Sequence, residues 1–159
     1  MVGQLLKGVV RMREYSPEWL CREVLEKARD AVIVADRDGL VRFWNDGAER
    51  IFGHSREEAL GRSLDLIIPE RLRERHWEGY RKVMATGVTR YGEEVLAVPA
   101  LRRDGARVSI EFTILLVRDE AGDLVGTAAF IRDVTARWEK ERELKKRLAE
   151  LEAKLSRPG

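Results

Sequence analysis

The sequence predicts an α+β fold in which a five-stranded antiparallel sheet carries short helices and one longer helix on one face. Two short alternating runs occupy residues 31–36 and 40–45, and three longer extended segments follow residue 88. Between these groups lie short helical pieces broken by glycines, and one longer helical stretch begins at Pro69. Amphipathic helices are expected to flank the sheet at the N-terminal and C-terminal ends of the chain.

The first part of the chain, residues 1–24, is predicted to be a helical extension. Ser16 can cap a helix, and Pro17 suits the first helical position because its missing N–H would be unpaired there anyway. Trp19 and Val24 help to form an apolar side. We expect this helix to pack against the sheet or against a partner chain.

The next segment is predicted to be a hairpin followed by short helices. Asp36-Arg37-Asp38-Gly39 is a typical turn sequence between the first two strands. Further along, Ser55 and Glu58 have the spacing of a capping box, which indicates a helix start. These short helices should lie across one face of the sheet.

The longest helix of this region is predicted to run between Pro69 and Gly87, and it contains a histidine on its apolar side. Leu72, His76, Tyr80 and Val83 recur at spacings of four, four and three, so they share one face. Charged residues cover the other sides, which indicates that this face is buried. An inward histidine must satisfy two ring nitrogens, by hydrogen bonds or by giving a lone pair to a metal. A core histidine bonded to the backbone and an axial ligand of haem iron both remain open.

Three further strands are predicted within residues 89–103, 107–119 and 124–135, separated by glycine-containing turns. In the middle segment the apolar residues alternate with polar ones, which predicts one buried face. The apolar set is Val108, Ile110, Phe112 and Ile114.

The last part, residues 136–159, is predicted to be a coiled-coil signalling helix. Its leucines are spaced four, three and four residues apart, as in a heptad seam: Leu144, Leu148, Leu151 and Leu155. Because the seam covers only two heptads, an amphipathic helix that packs on its own domain is the alternative.

Composition narrows the classes of function. The net charge is +2 and charges of both signs are interspersed, so neither a nucleic-acid surface nor a membrane contact by this segment is expected. No apolar run approaches the ~20 residues of a membrane span. Cys21 is the only cysteine, which excludes an intramolecular disulfide framework and favours a reducing, cytoplasmic setting.

The order of elements resembles the PAS family of sensor domains over about residues 25–138. Short motifs carry the resemblance: the turn at 36–39, Asn45, Phe52-Gly53 with Glu58 and Gly61, Arg103-Asp104-Gly105, and Asp133-Val134-Thr135. The resemblance implies a PAS sensor domain at residues 25–135. It also implies that Asp133 ties the last strand to a signalling helix that Thr135 caps, although a helix cap with no signalling role is the alternative.

PAS domains bind haem, flavins, small metabolites or nothing, so the fold does not define the ligand. A cysteinyl-flavin photoreceptor is excluded, because Cys21 lies outside the core and the stretch GRSLDLIIP lacks the reactive cysteine. Pro69, His76 and Thr86-Gly87 reproduce a spacing found in the haem-binding PAS kinases that sense oxygen in rhizobia, although Gly79-Tyr80 lies one residue later here. This resemblance implies haem b bound through His76.

The same comparison places Leu96 where those oxygen sensors have an arginine that hydrogen-bonds bound oxygen. Since leucine cannot donate a hydrogen bond, oxygen would be held poorly unless Tyr91 donates one, and carbon monoxide or nitric oxide would be tolerated better. The haem wall predicted from this resemblance consists of Leu72, Tyr80, Val83, Tyr91, Leu96, Phe112 and Ile114. In this wall the hydroxyl of Tyr91 would be the one polar group near the ligand. The alternative is that these side chains form an ordinary packed core.

The predicted function is a PAS sensory and dimerisation module without a catalytic site. It would bind haem through His76, sense a diatomic gas or redox state, and pass the signal to the C-terminal helix of a homodimer and on to an unknown effector. The alternative is a dimerisation module that is cofactor-free or binds a small metabolite. A peroxidase-like activity would need a distal acid or base, which Leu96 does not supply. His54 is expected in an exposed loop.

Overall fold

The computed structural model describes residues 15–89 and 95–155, which form five α-helices and five strands. The helices are α1 (Pro17–Lys27), α2 (Asp46–Phe52), α3 (Arg56–Ala59), α4 (Glu70–Thr86) and α5 (Thr135–Leu155). The strands are β1 (Ala31–Asp36), β2 (Val41–Trp44), β3 (Leu96–Leu101), β4 (Arg107–Arg118) and β5 (Leu124–Asp133). A short 3₁₀ turn, Leu64–Leu66, lies between α3 and α4.

The strands form one antiparallel sheet in the order β2-β1-β5-β4-β3, which confirms the predicted fold class. Strands adjacent in the sequence pair as hairpins, except that β2 and β3 lie at opposite edges. The helices α2, α3 and α4 are inserted between these two edge strands. β1 and β5 pair at the centre, from Ala31 opposite Ile131 to Asp36 opposite Gly126. The first and last strands of the domain are therefore neighbours.

One face of the sheet, here called the inner face, carries the core. Residues directly opposite each other in antiparallel strands point to the same side. One such row is Ala31, Ile131, Phe112 and Leu96, and the next is Ile33, Ala129 and Ile114. The inner face packs with Trp44 and Phe52 into the main hydrophobic cluster. The opposite side, here called the outer face, carries Glu111, Phe130 and Arg132.

The sequence signals for helix ends are confirmed at α3 and α4. The Ser55 N–H donates to the Glu58 carboxylate and the Glu58 N–H donates to Ser55 Oγ, which completes the capping box. α4 begins directly after Pro69 and ends at Gly87, whose φ of 65° is left-handed and favours glycine.

β3 is shorter than the segment predicted for it. It begins at Leu96 and ends at Leu101, whereas the prediction extended it from residue 89 to residue 103. Residues 90–94 lie outside the described residues, and so does the predicted wall residue Tyr91. β3 contains Pro99, which has no N–H to donate and is tolerated because β3 is an edge strand.

α1 contacts α2, and none of its residues is buried. Asn45, at the N-cap of α2, donates from Nδ2 to the backbone oxygen of Leu25, and Arg56 Nη1 lies 3.9 Å from Glu26 Oε1. α1 therefore packs beside α2, and the expected contact with a partner chain stays a prediction. α1 also runs through the predicted boundary after residue 24, so that division of domains stays a prediction.

α5 leaves the sheet at the end of β5, and its leucine seam is exposed. Leu144, Leu148, Leu151 and Leu155 are 55%, 57%, 58% and 86% exposed. Nothing in the described part of the chain covers them, so the helix does not pack its seam on its own domain. Within the described ranges, no helix combines the length and apolar character that a membrane crossing requires.

Candidate functional site

The inner side of α4 carries the four predicted site residues of that helix. Tyr80 is buried, while Leu72, His76 and Val83 are half-buried. The charged residues Glu70, Arg71, Glu74, Arg75, Glu78, Arg81 and Lys82 lie on the remaining sides of the helix. The spacing of the apolar positions therefore identified the side of the helix that turns away from solvent.

Tyr80 fastens α4 to the sheet. Its hydroxyl donates to the backbone oxygen of Asp36 over 2.5 Å and lies 3.4 Å from Thr127 Oγ1. Burial raises the pKa of the Tyr80 phenol, so the hydroxyl keeps its proton and acts as a donor. The phenolic group predicted as part of a ligand wall is thus already engaged with β1 and β5.

His76 has a ring nitrogen whose hydrogen-bonding capacity is not used in the described part of the chain. Its Nδ1 is buried and has no hydrogen-bond partner among the described residues. Its ring lies edge-on to Trp77, with centroids 4.8 Å apart, and 5.8 Å from the ring of Tyr80. Burial lowers the pKa of His76, and the nearby Asp65 carboxylate offsets this only in part. The imidazole is therefore neutral near pH 7 and has a free lone pair.

Trp77 is a site residue that the sequence analysis did not identify. Its indole Nε1 donates to Asp65 Oδ1 over 2.8 Å, and Asp65 also lies 3.7 Å from Arg73 Nε. A Cβ at Gly39 would collide with the indole ring, so Trp77 packs directly over the turn between β1 and β2. The side of α4 that is turned away from solvent is thus wider than the residues at spacings of four, four and three indicate. Trp77 and Met84 extend it on one side.

The predicted wall on the sheet lies on the inner face. Leu96 is directly opposite Phe112 and Ile114 is opposite Ala129, and all three wall residues are half-buried. Phe112 packs against the main hydrophobic cluster. Tyr80 and Val83 belong instead to a second cluster with Ala35, Met84, Leu116 and Leu124. Leu64 packs against both clusters, so Tyr80 and Val83 lie in a cluster that adjoins the one with Phe112.

These residues fit a cofactor that takes one lone pair and otherwise needs apolar contact. A coordinating imidazole uses one nitrogen for the metal and the other as a hydrogen-bond donor, and His76 has an uncommitted buried nitrogen for one of these roles. Within residues 15–89 and 95–155, no three His, Cys, Asp or Glu side chains come together as a metal site. A single imidazole such as that of His76 would suit a haem, because the macrocycle supplies the remaining iron ligands.

The other histidine is not where it was expected. The prediction that His54 lies in an exposed loop is wrong, because the residue is half-buried against Trp44, with ring centroids 6.4 Å apart. The indole Nε1 of Trp44 donates to the backbone oxygen of His54, which holds the loop inward. His54 Nε2 is also buried without a hydrogen-bond partner among the described residues. An uncommitted nitrogen alone therefore does not distinguish the two histidines.

The junction between β5 and α5 brings together both predicted signalling residues. Asp133 Oδ1 accepts hydrogen bonds from the backbone N–H and the hydroxyl of Thr135, at 2.9 and 2.6 Å. Asp133 Oδ2 accepts from Arg102 Nη2 over 3.1 Å, which links the junction to the end of β3. Burial by itself would raise the pKa of Asp133, but the hydrogen bonds from Thr135 and the charge of Arg102 outweigh it and lower the pKa.

Two further residues of this junction were not predicted. The Ser109 N–H donates to Thr135 Oγ1, and the Val134 N–H donates to the Ser109 oxygen, so the start of α5 is also fixed to β4. Arg102 pairs with Asp133, whereas Arg103, the arginine quoted in the turn motif, pairs with Glu58 at 2.7 Å. The R-x-D-G spacing itself points to Arg102, which was the available signal.

Comparison with known proteins agrees with this architecture. The family described as the PAS fold matches residues 25–139. The sensor protein FixL of Bradyrhizobium diazoefficiens is 29% identical over 94% of this chain and 28% of its own length. The oxygen sensor protein DosP of Escherichia coli is 30% identical over 66% of this chain and 13% of its own length. The chain thus spans less than a third of the curated relatives that it matches.

Among solved structures, the PAS domain of a protein from Colwellia psychrerythraea superposes with a TM-score of 0.67. It is 22% identical, and the match covers 76% of this chain and 99% of that domain. This likeness supports the fold and carries no information on a ligand.

Proposed function

Since the chain belongs to the PAS family and is a PAS sensory domain, we propose that it binds haem b through His76 and senses a diatomic gas or redox state. The observation that carries the proposal is the half-buried, neutral imidazole of His76, whose Nδ1 has no partner in the described chain. It lies on the side of α4 that faces away from solvent, as an axial ligand must.

The comparisons support the sensing part of this proposal. One relative is named an oxygen sensor protein and another a sensor protein. The spacing of Pro69, His76 and Thr86-Gly87 resembles that of haem-binding PAS kinases, which supports the choice of cofactor.

In this proposal His76 holds the iron, and the haem supplies a centre that binds a small gas or changes oxidation state. The contacts of α4 determine how a displacement of His76 reaches the rest of the domain. Because α4 is tied to β1 and β5 through Tyr80, such a displacement is felt by Asp36 and Thr127. β5 ends at Asp133, whose hydrogen bonds with Thr135 fix the start of α5. A small change at α4 can thus alter the direction of the exit helix.

The sheet side of the proposed site favours some gases over others. Leu96, Phe112 and Ile114 line the inner face with apolar groups and offer no hydrogen-bond donor. Bound oxygen is stabilised by a donor, whereas carbon monoxide and nitric oxide depend less on one. We therefore expect this wall to favour carbon monoxide or nitric oxide.

The exposed seam of α5 supports a homodimer. Four exposed leucines at heptad spacing would cover one another in a parallel pair of helices. We propose no catalytic activity for the domain. The effector and the predicted cytoplasmic setting stay open.

The second candidate is a PAS dimerisation module that is cofactor-free or binds a small metabolite. The two hydrophobic clusters favour it, since in them side chains of the helices pack directly against side chains of the inner face. In that case His76 would be a core histidine.

The two candidates differ in what His76→Ala does to haem occupancy. His54→Ala is the matched control, because His54 is also half-buried with an unpaired ring nitrogen among the described residues. Both variants would be prepared from cells supplied with a haem precursor, and haem per protein would be measured by the pyridine haemochrome method. We expect His54→Ala to keep the wild-type occupancy and His76→Ala to lose it. Wild-type occupancy in His76→Ala would exclude His76 as the ligand, and the absence of haem from the wild type as well would support the cofactor-free candidate.

A further inference from the structure

We propose that a row of charged side chains on the outer face couples the end of α1 to the beginning of α5 without involving the inner face. The row consists of Asp30, Arg132, Glu111 and Arg137. It goes beyond the proposed haem function, because the row lies on the opposite side of the sheet from the predicted wall.

The first contact of the row joins the α1–β1 connection to β5. Arg132 binds the Asp30 carboxylate with two hydrogen bonds, Nε to Oδ1 at 3.2 Å and Nη2 to Oδ2 at 2.6 Å. Such a two-bond geometry between a guanidinium and a carboxylate is directional, so it fixes the relative position of the two residues.

The middle of the row lies across the β4–β5 pair. Arg132 is directly opposite Glu111 in the strand register, so the two side chains are neighbours on the outer face. The pKa of Arg132 is raised first by its hydrogen bond with Asp30, then by the charge of Asp30, and Glu111 adds to this effect. Glu111 therefore stabilises the charge of Arg132, and it also forms an ion pair with Arg137.

The last contact reaches the exit helix. Arg137, in the first turn of α5, donates from Nη2 to Glu111 Oε1, and its Nε lies 3.7 Å from Glu141 Oε1. Glu111 thus forms an ion pair with Arg137 of α5 and lies opposite Arg132 of β5 in the strand register. A movement of Arg132 therefore changes the electrostatic environment of Glu111, and with it the ion pair between Glu111 and Arg137.

The beginning of the row is fixed to α1. Asn45 donates from Nδ2 both to the backbone oxygen of Asp30 and to that of Leu25 in the last turns of α1. A displacement of α1 therefore moves Asp30, and through the row it reaches the first turn of α5. The domain would then have an input through its N-terminal helix that is separate from any ligand on the inner face.

The energetics of the row make the coupling sensitive to salt. The paired side chains are 43% and 68% exposed at Asp30 and Arg132, and 25% and 53% exposed at Glu111 and Arg137. Single exposed ion pairs contribute little, so the coupling depends on the electrostatic interaction between the two pairs, which meet where Arg132 and Glu111 lie opposite each other. Exposed charges are also screened, since the Debye length falls to about 3 Å at 1 M salt.

Distance measurements between α1 and α5 test the coupling directly. Cys21 is an exposed natural labelling position on α1, and Lys140→Cys adds a second one on α5. Spin labels at both positions, in protein diluted with unlabelled chain, give the distribution of distances within one chain by pulsed electron resonance. We expect a narrow distribution at low salt and the loss of its narrow peak at 1 M salt.

The variants identify the residues that carry the coupling. Asp30→Asn and Glu111→Gln should each remove the narrow peak, while Glu139→Gln, which changes a carboxylate of α5 with no ion pair in the described chain, should keep it. If Asp30→Asn gives the same distribution as Glu139→Gln, the row does not link α1 to α5. The same holds if only Glu111→Gln has an effect. His76→Ala should leave the distance distribution between the two labels unchanged. A failure of the coupling proposal is therefore distinct from a failure of the haem proposal.

Discussion

The hydroxyl of Tyr80 donates a hydrogen bond to the backbone oxygen of Asp36, which joins the long helix α4 to the end of the central strand pair. Asp36 also begins the turn between β1 and β2, and the indole of Trp77 packs against Gly39 in that turn. The candidate ligand His76 lies one turn before Tyr80 on the same helix. Its position relative to the sheet is therefore set by these neighbouring contacts.

Tyr80→Phe should lower the stability of the domain. The substitution keeps the ring and removes the Tyr80 hydroxyl from the Asp36 oxygen, which still accepts a hydrogen bond from the Gly39 N–H. Because the acceptor keeps one partner, the loss of this hydrogen bond should cost about 0.5–1.5 kcal/mol. Urea unfolding followed by circular dichroism measures this change. Tyr15→Phe is the matched control, because Tyr15 is exposed and stacks on Trp19 through its ring. An equal effect of both substitutions would mean that the bond to Asp36 is not stabilising.

Gly39→Ala should be more destabilising than a usual turn substitution. Gly39 has a φ of 76°, and an added Cβ would meet the indole of Trp77. Strain and overpacking together are expected to cost about 2–4 kcal/mol. Combining Gly39→Ala with Trp77→Leu should cost less than the sum of the single changes, because the collision is then removed. Strict additivity in urea unfolding would show that the indole does not rest on this turn.

Asp133→Asn should reduce stability at neutral pH and change its acid dependence. The hydrogen bonds from Thr135 and Arg102 are expected to be worth about 1–3 kcal/mol, since the acceptor is charged. The pKa of Asp133 lies below its ordinary value of 3.8, so its contribution is complete well above pH 3.8 and is lost as pH falls through the folded-state pKa. The difference between wild type and variant should therefore shrink below about pH 4. Glu120→Gln, in the exposed β4–β5 turn, should show no such difference.

Leu148→Asp should weaken association of the chain. Leu148 is 57% exposed at the centre of the heptad seam, where a carboxylate would be buried in a paired helix. Light scattering at several concentrations measures the mass. Lys146→Asp also adds a carboxylate to α5 but lies outside the four-three-four pattern, so it should leave the mass unchanged. A dimer that persists in Leu148→Asp would place the interface elsewhere, for example on α1.

Leu96→Arg should slow oxygen dissociation from the haem-loaded protein. The change introduces a hydrogen-bond donor at the wall position opposite Phe112. Stopped-flow measurement of the oxygen off-rate compares it with Val95→Arg, which adds the same charge at a neighbouring position that is 60% exposed. Identical off-rates in the two variants would show that Leu96 does not face the bound gas.

Much of the fold could be predicted because the signals are local. The helix limits at Pro69 and Gly87 depend only on neighbouring residues, and the structure confirms them. The predicted alternation in β4 is confirmed at Val108 and Ile110, which are buried, whereas residues 111–114 are all half-buried. The length of β3 was less predictable, since it depends on where its pairing with β4 begins and ends, from Leu96 opposite Phe112 to Leu101 opposite Arg107. The position of α1 beside α2 depends on Asn45, whose amide reaches back 20 residues to Leu25.

The candidate site was predicted in outline only. His76 and Tyr80 followed from helical spacing, but the role of Trp77 depends on Gly39 and Asp65, which no periodic pattern connects to it. The contact between Asp30 and Arg132 spans 102 positions of the sequence, so only the strand register brings it about. Contacts of this kind are specified by the tertiary structure rather than by local patterns.

The central proposal is that this PAS domain binds haem, and its visible absorption spectrum tests that most directly. Protein from cells supplied with a haem precursor would be measured alone, after reduction with dithionite, and after addition of carbon monoxide. We expect an intense band near ~400 nm that shifts when carbon monoxide binds the reduced iron. A folded protein with normal helix and sheet content and no such band would contradict the proposal and identify His76 as a core histidine.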